Sequence, residues 1–145
     1  MKLTIAQALQ KGVEAHRGER LQEAERFYRA ILGSQPSHPD ANHNLGVLTV
    51  SVNRAEAALP LFKTALEANP KVEQFWLSYI DALIRTEELD EAKKAVADAK
   101  QVGIATERLH VFEEQLQSEP SSNSELSQQE FGNQLRSHQD ELLAA

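Results

Sequence analysis

One spacing constrains this chain more than any other property. Gly12 and Gly46 stand 34 residues apart, and so do Ala24 and Ala58, Ala58 and Ala92, Tyr28 and Phe62, and Pro36 and Pro70. Four columns that keep one offset without a gap describe an internal repeat. A repeat of this length is a supersecondary unit that buries its apolar face only against stacked copies of itself. Within a period the apolar residues recur at helical spacing: Ile5, Ala8, Leu9, Gly12 and Val13, then Leu21, Ala24, Phe27, Tyr28, Ile31 and Leu32. Each unit therefore reads as two antiparallel helices.

The central unit, Ser37 to Pro70, sets Leu45-Gly46, Ala58, Phe62, Ala65 and Pro70 at the spacings L-G…A-x3-F…P. On these residues the chain resembles the tetratricopeptide repeat (TPR) family, in particular the arrays of bacterial and O-linked GlcNAc transferase-like proteins. The resemblance covers residues 4–104 and implies an all-α fold, a right-handed TPR solenoid of three helix pairs in units 4–36, 37–70 and 71–104. A capping helix over 105–117, a linker over 118–126 and a C-terminal amphipathic helix over 127–143 are expected to follow.

The marks have physical reasons. Glycine inside a helix costs about 1 kcal/mol against alanine, so Gly12 and Gly46 imply contacts too close for a Cβ. Tyr28 and Phe62 are expected to fill the space between successive units. Pro36 and Pro70 end their helices. Thr4 with Gln7 forms a capping box at the first helix, Gly18 is expected to close it, and Thr106 caps the helix after Gly103. Departures from the family pattern are Ala8 in its Trp slot, Ile31 in a small-residue slot, Ile80 in place of glycine and Ile104 in place of proline. Trp76 and Ala92 keep their columns.

The net charge of −7 is concentrated at the end of the chain, where residues 105–145 hold two basic and eight acidic groups. No basic stripe is present, which argues against nucleic acid. No apolar run reaches the ~20 residues that span a bilayer, and the N-terminus lacks the apolar core of a secretory signal, so a cytoplasmic protein without a membrane partner is expected. The chain has no cysteine, hence no thiol nucleophile or thiolate metal site. The histidines (His16, His38, His43, His110 and His138) follow no metal-ligand spacing, and no P-loop, G-x-S-x-G or G-x-G-x-x-G occurs. Neither Glu87-Glu88 nor Glu113-Glu114 can act as a facing acid/base pair, because adjacent helical residues diverge. No catalytic, cofactor or metal residue is therefore assigned, and the chain reads as a non-enzyme.

Function then rests on a surface. In TPR proteins the first helices of successive units line a concave groove for a peptide or a helix. Carried over by position, that groove comprises Gln10, Val13 and Arg17, then Asp40, His43, Asn44 and Val47, then Gln74, Leu77, Ser78, Asp81 and Arg85, with Ala6, Leu9 and Ser51 beside them. Gln10, Asn44 and Ser78 form one polar column able to grip a peptide backbone, since amide side chains both donate and accept. The cationic clamp of chaperone-type TPR domains is not matched, because Leu9, His43 and Gln74 stand among its columns. The expected function is a protein-interaction scaffold. The alternative is the N-terminal substrate-reading or oligomerising region of a larger glycosyltransferase- or methyltransferase-type enzyme. Phe131, Leu135, His138 and Leu142 share one helical stripe, and homo-oligomerisation through that C-terminal helix is a further expectation.

Overall fold

The computed structural model describes residues 2–118. The C-terminal helix expected over 127–143, with Phe131, Leu135, His138 and Leu142, lies outside the described residues, as does nearly all of the preceding linker. Seven helices follow in order: α1 (Ile5–Arg17), α2 (Leu21–Ser34), α3 (Pro39–Ser51), α4 (Ala55–Ala68), α5 (Glu73–Arg85), α6 (Leu89–Gln101) and α7 (Glu107–Gln117). No strand occurs among the described residues. The fold is the all-α TPR fold, three helix pairs closed by α7. None of these helices is long and apolar enough to cross a membrane.

Local chemistry fixes the helix ends. Thr4 Oγ1 accepts from the Gln7 amide at 3.0 Å while Gln7 Oε1 accepts from the Thr4 amide at 2.9 Å, completing the capping box. His38 caps α3 in a way the sequence does not advertise, its Nδ1 accepting from the Ala41 amide at 3.1 Å ahead of Pro39. Gly18 closes α1 as its C-cap, its amide donating to the Glu14 carbonyl, but the left-handed turn falls one residue later. Gly18 has an ordinary φ of −85°, and it is Glu19 that turns left-handed at 61°. Asn53 at 64° and Glu87 at 61° repeat this at the same spacing. The cause is a six-to-one backbone bond that closes the turn, Arg20 N to Ala15 O at 2.8 Å, repeated at Arg54 N to Thr49 O and Glu88 N to Leu83 O. After α6 the same bond, Ile104 N to Ala99 O, falls around Gly103 at φ 98°, where the backbone suits glycine.

Packing explains the repeat marks. A Cβ on Gly12 would lie 2.7 Å from the Tyr28 ring, and one on Gly46 would lie 2.5 Å from the Phe62 ring. Each aromatic thus sits on the glycine of its own unit, while Tyr28 also packs with Leu45 and Leu48 of the next. The third unit exchanges the volumes, with Ile80 and Val96 both buried in one core cluster. Trp76 Nε1 donates to the Pro70 carbonyl at 2.6 Å, and Asn42, 34 residues earlier, donates from Nδ2 to the Pro36 carbonyl at 3.0 Å. An amide and an indole therefore do one job, tying a first helix to the end of the preceding unit.

The two layers are not equivalent. The backbones of α1 and α3, of α3 and α5, and of α5 and α7 come within 8 Å of each other between Cα atoms, whereas those of α2, α4 and α6 stay farther apart. A row packed side by side spans a shorter arc than a splayed one. The odd-numbered helices are accordingly the concave side and the even-numbered helices the convex side.

Candidate functional site

The inner row presents residues in columns that run across the helices. Asp40, Gln74 and Arg108 form one column on α3, α5 and α7, all exposed. Arg108 was not among the residues assigned from sequence, although its position 34 residues after Gln74 carries the signal. His43, Leu77 and Val111 form the next column, at 8%, 3% and 58% exposure, so His43 and Leu77 spend their side chains on packing between neighbouring inner helices. Gln10, Arg17 and Arg85 are exposed, while Val13, Asn44, Val47, Ser78 and Asp81 are half-buried.

A hydrogen-bonded chain crosses this row. His43 Nδ1 meets Asn44 Oδ1 at 3.3 Å, and His43 Nε2 shares a 2.7 Å bond with the Ser78 hydroxyl on α5. Gln74 Nε2 donates to Ser78 Oγ at 3.3 Å, and Arg108 Nη1 on α7 donates to Gln74 Oε1 at 3.4 Å. The members of the Gln10–Asn44–Ser78 column are not bonded to each other. Gln10 donates instead to Glu14 at 3.3 Å, and the links across units run through His43, Gln74 and Arg108. The chain fixes these groups in place and leaves outward capacity on the amides of Asn44 and Gln74 and on the Arg108 guanidinium.

Charge in the row is mixed. Arg85 donates to Asp81 at 2.7 Å on α5. Burial holds the His43 pKa below the ordinary histidine value, outweighing the Asn44 hydrogen bond and the Asp40 charge that push it up. The ring lies 4.8 Å from Phe75 and 5.6 Å from Phe62, centroid to centroid, and acts as a neutral aromatic bridge. Toward α1 a cavity of about 230 Å3 is lined by Val13, His16, Arg17, Tyr28 and Asn44. Its His16 Nδ1 lies 3.2 Å from the Tyr28 hydroxyl. No group of three or more potential metal ligands converges among the described residues.

A tetratricopeptide repeat family model matches residues 50–102. Among solved structures, the first TPR domain of Spaghetti (RPAP3), described as bound to the HSP90 peptide SRMEEVD, is 15% identical with a TM-score of 0.71. That likeness covers 78% of this chain and 90% of the other. The Sgt2 TPR domain from Aspergillus fumigatus is 16% identical with a TM-score of 0.69, covering 83% and 87%. A tetratricopeptide repeat protein from Parabacteroides merdae is 20% identical with a TM-score of 0.71, and there the chain spans 44% of the longer structure. No curated protein matches the sequence significantly. The repeat columns, the helix pairs and the family match over residues 50–102 agree on one fold, the tetratricopeptide repeat solenoid.

Proposed function

We propose that the protein is an interaction scaffold that receives an extended peptide or a helix of a protein partner along its inner helix row, without chemistry of its own. The observation that carries this reading is the chain from Asn44 through His43, Ser78 and Gln74 to Arg108. It crosses three successive inner helices and fixes amide and guanidinium groups along one row. Groups already fixed in position lose little side-chain freedom on binding, which lowers the cost of association. The description of the RPAP3 domain with a bound peptide supports the reading by likeness of fold. The acidic peptide in that complex is not the ligand class favoured for this row, since His43 and Leu77 withdraw into packing and Asp40 and Asp81 add negative charge.

The test is selection of a phage-displayed random peptide library on the protein, followed by binding of the selected peptides to an Asn44→Ala, Gln74→Ala double variant. Neither side chain is in the core, so melting should be nearly unchanged, and affinity should fall about tenfold or more if the row is the site. Peptides that bind the double variant unchanged but lose binding to Lys93→Glu on α6 would place the site on the convex side and overturn the proposal.

A further inference from the structure

On the convex side, a cavity of about 240 Å3 opens where α4 and α6 splay apart over α5. Its floor includes Trp76 and Tyr79, each 8% exposed, and its walls include Glu67, Glu91 and Asp98. Tyr79 is the informative residue. More than nine-tenths of it is buried, and no hydrogen bond within the described residues engages its hydroxyl. No fully buried side-chain polar atom lacks a partner, so that hydroxyl opens into the cavity rather than being sealed. Glu91, Glu88 and Asp98 all act on it electrostatically.

The repeat itself isolates this equipment as something added. Thirty-four residues earlier, Leu45 stands in place of Tyr79, Ala57 in place of Glu91 and Thr64 in place of Asp98. The preceding junction stacks without the hydroxyl or the carboxylates, so they are not required by the architecture. Of the two lysines at the cavity, Lys94 is drawn to Asp98 at 3.4 Å. Lys63, Glu67 and Glu91 also line it, and none of the three takes part in a hydrogen bond or ion pair among the described residues. The charged groups that act on the Tyr79 hydroxyl are thus carboxylates, Glu91, Glu88 and Asp98, with no cation among them.

We propose that this cavity takes the guanidinium of an arginine side chain from a protein partner. A forked planar donor can place one N–H on the Tyr79 hydroxyl oxygen and another on the Glu91 carboxylate, with its face against the Trp76 indole. A compact anion is repelled by the same walls. The site lies on the face opposite the trough and does not depend on the function proposed for it.

Trp76 is the chain's one tryptophan, so its fluorescence reports on the cavity directly. The probes are acetyl-arginine amide and its neutral isostere acetyl-citrulline amide. The expected result is a saturable change with the arginine compound, at least ~5-fold weaker with the citrulline compound. The arginine affinity should fall by a similar factor in Glu91→Gln and in Tyr79→Phe, two variants that keep side-chain volume and should melt as the parent does. Equal response to both compounds, no saturation up to ~20 mM, or unchanged affinity in both variants overturns the proposal.

Discussion

A glycine in a helix is a record of what lies opposite it. Gly46 would carry its Cβ into three atoms of the Phe62 ring, at 2.5, 2.8 and 2.9 Å, and the ring is itself 1% exposed with nowhere to retreat. Gly46→Ala should therefore destabilise by about 1–2 kcal/mol in urea unfolding, overpacking outweighing the better helix propensity of alanine. The third unit shows the alternative solution, a large residue at Ile80 with a smaller one at Val96. In a Phe62→Val background the same Gly46→Ala change should become neutral or favourable. An equal cost in both backgrounds would mean that the ring is not the obstacle. The columns of Gly12, Gly46, Tyr28 and Phe62 were visible in the sequence as a period. Their pairing within one unit was not, because a period gives an offset and not a direction. Asn42 carries no sequence sign of its role, for a related reason. It shares a column with Trp76 and the same proline-carbonyl acceptor, but an amide and an indole have no composition in common.

Helices were the most legible part of the chain, because apolar residues at helical spacing and capping residues agree. Thr4, Gln7 and Thr106 mark ends that the backbone uses as expected. The turns were less legible. Glu19 and Glu87 adopt a conformation that disfavours them locally, and the six-to-one bonds of the stacked unit impose it. Pro60 is the other local conflict. It stands inside α4, where it removes one backbone donor, yet the helix runs through from Ala55 to Ala68. Tertiary burial of Ala58, Phe62, Ala65 and Leu66 holds it. The side chain at Pro60 is exposed, and the equivalent positions in the other units are Arg26 and Lys94. Pro60→Ala should restore the bond to the Glu56 carbonyl without uncovering core, raising stability by about 1–3 kcal/mol. A melting temperature equal to or below the parent's would show that α4 is bent around the proline in a way its neighbours require.

Curvature is a property of the stack, and no single residue announces it. It arises because the inner helices meet side by side while the outer ones splay, and that one asymmetry makes both the inner trough and the outer cavity over Tyr79. The candidate trough was legible as columns, since position within the repeat carries over from unit to unit. Its internal wiring was not, because it depends on His43 leaving the trough to span α3 and α5, with Ser78 on one ring nitrogen and Asn44 on the other. That bridge couples the stacking of units to pH. Burial lowers the His43 pKa, and that of His16 as well, so the unfolded chain takes up protons more readily than the folded one. The stabilisation is fully present above the unfolded value of about 6.5, is lost as pH falls toward the depressed folded value, and levels off below it. The hydrogen bonds are not what resists protonation, because Ser78 Oγ and Asn44 Oδ1 can both accept from an imidazolium. Desolvation is, with the Asp40 charge opposing it only in part. The melting temperature should therefore drop between pH 7 and pH 5, above the range where most carboxylates titrate. In His43→Gln the drop should shrink to the share left by His16, whatever the variant's stability at neutral pH. If His43→Gln keeps the full slope, the acid sensitivity of the stack arises elsewhere and the bridge is a packing contact alone.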